Sequence, residues 1–368
     1  MPRKKRQHFV PKFLLRRFAA AEGRWQGHVF RLPIGGGAAR PAVPKTEAAR
    51  NRYYDLPDEL VGQVQPELIL EKIESGAAAA IGRLEKRQQL QDMDLVWLAY
   101  FAALQTNRTP ADRAEARYLD EVMATQMEEL RFSAQEQAVA FLRGRDPSLT
   151  EDEAEAERQR IIEDLNAGRL RLESSAEREV ASMFLGLNEA VEQLLSACDF
   201  TLVELPGSPE LVLPDTGYTR YDPNPRLPGS ASGFLGSSTV ETVIPVAPTR
   251  ALRMTRGAGR AGRCEAASAY AEDLNLRAYA QSQVCLYGRS QDAVVRVRQL
   301  AKQRRTHLAA RRRRARTLWI LERRPGDPET GPIRGTGYSI DGVHTQWFDV
   351  DPRARPGQRP LRPKDMWR

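Results

Sequence analysis

The sequence predicts an α+β fold: a predominantly helical bundle packed against a small β-sheet, with a basic C-terminal helix and a flexible tail. Three observations predict it. Apolar residues recur at helical spacing through most of residues 67–198. At Phe200 the pattern changes to short apolar runs broken by Pro and Gly. Basic residues then crowd Arg296–Arg324, twelve of them against the single acid Glu322.

Pro11 suits the first turn of a short helix reaching Phe18, because its missing N–H is one the helix would not use. Val29, Phe30 and Leu32 predict a strand within residues 25–32, ended by Pro33 and Gly35–Gly37. Asn51–Asp55 reads as a second short strand. Leu68, Ile69, Ile73, Ala77, Ala80, Ile81 and Leu84 lie at helical spacing, so residues 67–89 form an amphipathic helix. Asp92 caps the next helix, which carries Trp97, Phe101 and Leu104 and is apolar on most sides; such a helix belongs in the core. Pro110 opens a new helix over residues 111–142, and its many charges mark a solvated face. Thr150 with Glu153 forms a capping box for a helix to Asn166, stopped at Gly168. Residues 175–198 carry a further apolar stripe, from Val180 to Leu195.

Beyond Phe200, strands are expected at 200–205, 211–213 and 239–245, with a long loop over 220–238. Helices are expected at 266–287 and, basic in character, at 293–316; Thr317–Leu321 reads as a strand. The tail is poor in aliphatic residues, so disorder is expected from Pro325 onward. The domain reading is a main body over 1–290 with a helical insertion at about 111–170, a basic segment at 291–324 and a loose tail at 325–368.

Net charge is +8, and the basic segment supplies the excess, so the remaining body is mildly acidic. A concentrated basic stretch is the footprint of polyanion binding. Leu95–Leu104 is about half of what a bilayer crossing needs, and charges interrupt the region after the basic start, so no membrane span and no secretory leader are expected. Cys198, Cys264 and Cys285 are far apart, which fits free thiols in a reducing cytoplasm. With the scattered histidines they offer no metal-ligand spacing, and no cofactor motif stands out. Gly35–Gly37 lacks the Lys of a phosphate loop. The sequence leaves the oligomeric state open.

The opening Gln7-His8-Phe9-Val10-Pro11-Lys12-Phe13-Leu14-Leu15-Arg16-Arg17-Phe18 resembles the signature of the Domain of Unknown Function 4238 family. Later blocks are similar in the expected order: Tyr53-Tyr54-Asp55, an acidic position at Glu71 or Glu74, Leu104–Pro110, Val243–Pro248, and Leu274-Asn275 opening a helix that ends near Gly288. Where the family commonly shows a Thr-Ser-Asp-Asn-Pro turn, this chain has Leu213–Gly217, and only Asp215 is kept. The resemblance covers residues 6–288 and brings no established chemistry with it.

His8 beside a helix start would have its pKa lowered by the dipole, which suits a general base. Equally, His8 and Gln7 could lock the N-terminal segment onto the core. Gln105 and Arg108 share a helix face, and Arg108 needs a partner, for which Glu71 or Glu74 is available. That pair reads either as a core ion bridge or as a clamp for phosphate or carboxylate. His8, Glu74 and Arg108 are the expected catalytic trio, with Gln7, Gln105, Asn275 and Asp215 around the pocket. Arg304, Arg305, Arg311, Arg312, Arg313, Arg314 and Arg316 are the expected nucleic-acid contacts, with Trp319 available for stacking. Two functions follow: a nucleic-acid-directed protein with a metal-independent hydrolase site, or a non-catalytic binding or effector module that contacts nucleic acid or an acidic partner.

Overall fold

The apolar run around Trp97 becomes the centre of the molecule. In the computed structural model, residues 6–55, 66–170, 175, 180–181, 183–184, 187–207, 209–223, 239–311, 318–322, 333–339, 342–350 and 361–362 are described. The chain begins with β1 (Arg6–His8) and α1 (Lys12–Arg17), followed by β2 (Val29–Pro33), β3 (Arg40–Ala42) and β4 (Ala49–Asn51). Helices α2 (Pro66–Glu85), α3 (Asp92–Gln105), α4 (Pro110–Ser133), α5 (Gln135–Arg145), α6 (Glu151–Asn166) and α7 (Leu187–Ala197) come next.

Helix α3 buries Leu98, Ala99 and Phe101 through Gln105, and α2 and α7 pack on it. Gly76 of α2 makes that approach possible: a Cβ there would stand 2.5 Å from the Trp97 ring. Helices α4, α5 and α6 pack on one another, and their buried faces are small, as the charge density of 111–170 requires. The helix expected over 111–142 is two helices. Ala134, extended at ψ 92°, separates them.

The second half carries the sheets: β5 (Cys198–Glu204), β6 (Leu213–Pro214), β7 (Thr219–Tyr221), β8 (Glu241–Ala247), β9 (Arg250–Arg256) and β10 (Ala261–Glu265). Then come α8 (Ser268–Gln281), β11 (Cys285–Gly288), α9 (Gln291–Gln303) and α10 (Arg305–Arg311). One five-stranded sheet has the order β10-β5-β9-β8-β7, antiparallel except for the parallel β10–β5 pair. A separate four-stranded sheet, β3-β2-β11-β6, joins N-terminal strands to later ones. The large core lies between the helices and the five-stranded sheet. A smaller one, with Phe30, Leu32, Leu286, Val294 and Val297, lies under α8 and α9.

Several expectations shift. The strand expected at Asn51–Asp55 is Ala49–Asn51; Arg52 takes φ 52° and turns Tyr53 and Tyr54 inward. The helix expected over 266–287 ends at Gln281, and Cys285–Gly288 is an inner strand, because Ser282 is already extended. Strand β9 carries Arg250, Arg253 and Arg256, one in every three residues, which hid a pattern of buried Ala251, Leu252 and Met254, and the short β10 carries Arg263. The basic helix breaks at Arg304, so α9 and α10 replace one long helix. Residues expected to form a loose tail include strands. After β12 (Leu318–Glu322), β13 (Ile333–Ser339), β14 (Gly342–Val350) and β15 (Leu361–Arg362) complete a four-stranded antiparallel sheet. Thr336, Tyr338, Val343, Thr345 and Trp347 supply the β-formers that a count of aliphatic residues overlooks. Among the described residues no helix is long and apolar enough to cross a membrane.

Candidate functional site

Strand β1 pairs antiparallel with β4, placing His8 opposite Ala49 and Gln7 opposite Arg50. Successive side chains of a strand point to opposite faces. Gln7 is therefore buried, and its Oε1 accepts from the Tyr54 N–H at 2.6 Å while its Nε2 donates to Asp55 at 3.1 Å. His8 is half-buried; its Nε2 donates to the Pro44 carbonyl at 3.3 Å, which leaves Nδ1 as the acceptor nitrogen. The Tyr54 hydroxyl donates to the His8 carbonyl at 3.1 Å.

Burial is the main cause that holds the His8 pKa below its ordinary value, not the helix dipole expected from sequence. The Pro44 carbonyl and Glu74 act against that lowering, while Lys12 and Arg108 add to it. The charges of Glu74 and Arg108 are thus felt at the imidazole. A neutral ring near neutral pH is the result.

Arg108 stands just after α3 with its side chain 1% exposed. Its Nε donates to Gln105 Oε1 at 3.0 Å, and its Nη1 donates to Glu74 Oε1 at 2.8 Å. Nη2 is buried and has no hydrogen-bond partner among the described residues. Glu74 reaches up from α2 and is one-quarter exposed, so the pair opens toward solvent on the carboxylate side. Gln105 is spent on positioning: its Nε2 donates to the carbonyls of Thr216 (2.9 Å) and Phe9 (3.3 Å). The structure therefore brings together Glu74, Gln105 and Arg108, with His8 close enough to feel the charges of Glu74 and Arg108, from β1, α2, α3 and the residues just after α3. Gln7 faces the other way, onto Tyr54 and Asp55.

The remaining expected residues lie elsewhere. Asp215 accepts the backbone N–H groups of Gln283, Val284 and Cys285 at 3.0, 2.6 and 3.1 Å. It clasps the end of α8 to β11 and lines a cavity of about 230 Å³ with Phe9, Arg31, Arg50 and Thr109. Burial raises its pKa despite those three donors. Asn275 bonds Val212 N–H (3.0 Å) and the Glu210 carbonyl (2.9 Å). It lines a different cavity, of about 570 Å³, with Arg289 and Arg296. Its helix turns it toward α9, away from α3, so the convergence of all seven residues does not occur.

Of the basic segment, Arg304 and Arg305 are exposed at the α9–α10 break, and Arg304 reaches Glu272 at 2.8 Å. Arg311 is the last residue of α10. Arg312, Arg313, Arg314 and Arg316 lie outside the described residues.

The support beneath Arg108 comes from residues that no local pattern joins to it. The Tyr53 hydroxyl donates to the Arg108 carbonyl at 3.0 Å, and Arg113 lies over the Tyr53 ring at 4.3 Å. Burial pushes the Tyr53 phenol up to about 12 and the Tyr54 phenol higher still. Asp112 accepts from the hydroxyls of Thr109 (2.5 Å) and Tyr218 (2.8 Å). Thr109-Pro110-Ala111-Asp112 carries the signal for the first of these, a capping Thr with an acid three residues on.

The model of a family described as "Protein of unknown function (DUF4238)" matches residues 6–292. No curated protein and no solved structure matches the chain.

Proposed function

The chain belongs to the DUF4238 family, and from that premise we propose that it is a nucleic-acid-directed cytoplasmic protein whose His8–Glu74–Arg108 site receives and hydrolyses a phosphodiester. The observation that carries this reading is the Arg108 guanidinium, buried with Nη2 unpartnered. Leaving a buried donor of a charged group unmet is costly, and a phosphate oxygen is the acceptor that suits it best. Glu74 and Gln105 hold two edges of the guanidinium, so the third is aimed without further ordering cost.

The neutral His8 ring supplies the base. Nδ1 takes a proton from water as the water oxygen bonds to phosphorus. The bond to the leaving oxygen breaks, and that oxygen takes the proton back from the imidazolium. Arg108 stabilises the charge that gathers on the non-bridging oxygens. The exposed Arg304 and Arg305, with the arginines that follow them in sequence, neutralise neighbouring phosphates and make affinity fall steeply with salt.

Gln7, Gln105, Asp215 and Asn275 are all spent on backbone or neighbouring groups, and that favours a second reading, a non-catalytic binding or effector module. Labelled single-stranded oligonucleotides distinguish the two, with binding followed by anisotropy across a salt series and cleavage by gel. The hydrolase reading expects His8→Ala to abolish cleavage while binding and melting temperature hold. Salt-dependent binding without cleavage by the unaltered chain selects the binding module. Absence of both discards the nucleic-acid reading.

A further inference from the structure

Strand β10 closes one end of the five-stranded sheet, and no described strand pairs with its far side. Its register with β5 decides which of its backbone groups face outward. Phe200 N–H donates to Arg260 O, and Ala266 N–H donates to Glu204 O. In a parallel ladder with Ala261 opposite Phe200 and Glu265 opposite Glu204, Gly262 and Cys264 turn their N–H and C=O groups to β5. The N–H and C=O groups of Ala261, Arg263 and Glu265 therefore point to the open edge. Such a row of unpaired groups is a template for another strand.

An open groove of about 630 Å³ lies along this edge, walled by Leu84, Arg87, Gln88 and Leu90 from the end of α2 and the turn after it. Arg263 leans into it, pairing through Nη2 with Glu204, which also meets Arg250 at 3.5 Å. Its Nη1 is buried with no partner among the described residues. Glu265, two residues on and so on the same face, is exposed. The edge thus offers one donor with no partner among the described residues and one exposed carboxylate, spaced as alternate residues of a strand.

We propose that this edge is an isologous interface: a second copy of the chain adds its β10 antiparallel to β10, with Arg263 opposite Glu265 of the other copy and Cys264 opposite Cys264. Several symmetric registers let the outward-facing residues meet each other, and centring the axis on Gly262 would set Arg263 against Ala261. Centring the axis on Arg263 would set guanidinium against guanidinium. Centring it on Cys264 sets Arg263 against Glu265 twice, giving the Nη1 group its acceptor and both copies the same contact. In that register the Arg263–Glu265 pairs exchange main-chain hydrogen bonds, and the two Cys264 residues form the non-hydrogen-bonded pair between them. Cα atoms in such a pair are about 4.5 Å apart, within the roughly 4.4–6.8 Å span of a disulfide. The edge is five residues long, short of what a permanent dimer buries, so association depends on concentration.

Cys198 and Cys285 are buried, whereas Cys264 is half-exposed. Mild oxidation with diamide, which accepts the two hydrogens released by two thiols, therefore reports the Cys264 pairing. The full chain is expected to give a disulfide-linked dimer on non-reducing gels, absent in Cys264→Ser. Glu265→Arg should slow cross-linking about tenfold, as should Arg263→Glu, and the double exchange Arg263→Glu with Glu265→Arg should restore it. Arg263→Glu also disturbs the Glu204 contact, so each variant's melting temperature is read in parallel. Sedimentation of the untreated chain should show dimer growing with concentration. Monomer at every concentration, or cross-linking that ignores both charge reversals, overturns the interface. So does loss in either single variant that the double exchange fails to restore while the fold is intact.

Discussion

Arg108, just past the end of α3, donates through Nε to Gln105 Oε1 at 3.0 Å, three residues earlier in the chain. The same amide, fully buried, donates to two carbonyls from distant segments, Phe9 and Thr216. Gln105 is therefore the joint between the N-terminal strand, the turn before β7 and the guanidinium. Gln105→Leu keeps the volume but leaves Arg108 Nε and both carbonyls unmet. A loss of about 2–4 kcal/mol in urea unfolding is expected, and a loss near zero would show that water replaces the amide.

His8 makes stability depend on pH in a defined direction. Its folded pKa lies below the ordinary 6.5, chiefly through burial. As pH falls, the unfolded chain therefore takes the proton first. The contribution is whole above about pH 6.5 and is lost as pH falls from there through the folded value. His8→Asn keeps a donor for the Pro44 carbonyl but cannot titrate. Melting temperatures between pH 7.5 and 5 should fall more for the unaltered chain than for this variant; parallel curves would assign the pH response to other groups.

Much of this was legible in the sequence, because periodicity and capping are local. The apolar faces of α2, α3 and α7 and the Thr150 capping box follow from spacing, as does the need of Arg108 for an acid on α2, though spacing left Glu71 and Glu74 equal and the fold selects Glu74. What spacing could not supply was direction across the fold. Asn275 and Asp215 stand in blocks shared with the family, and sharing a block places a residue in the chain, not beside Arg108. Strands β9 and β10 were hidden by arginines whose charge is met by Glu85 and Glu204, partners that only the tertiary fold brings near. The run Asn51–Asp55 predicts a strand through Tyr53 and Tyr54, since nothing local announces that Arg52 adopts a left-handed turn.

Gly76→Ala tests how close α2 and α3 must lie. The added methyl would meet the Trp97 ring at 2.5 Å, and the ring is further held by Lys72 above it at 5.9 Å. Helix propensity favours alanine by about 1 kcal/mol. Overpacking costs about 1–3 kcal/mol and should outweigh it. Net destabilisation with a shifted Trp fluorescence is the expected result; net stabilisation would mean that the indole swings aside freely.

Asn275 separates support of the fold from the chemistry proposed at Arg108. Its side chain satisfies Val212 N–H and Glu210 C=O, fixing the approach to β6 from within α8. Asn275→Leu strands the buried Val212 N–H and the half-buried Glu210 carbonyl, for an expected loss of about 1–3 kcal/mol. Inorganic phosphate stabilises a chain that binds it in proportion to occupancy of the folded state. If the anion sits at Arg108, the rise in melting temperature with added phosphate should be the same in Asn275→Leu as in the unaltered chain and vanish in Arg108→Met. A phosphate effect that disappears with Asn275 instead would move the anion to the cavity between α8 and α9, where Arg289 and Arg296 stand.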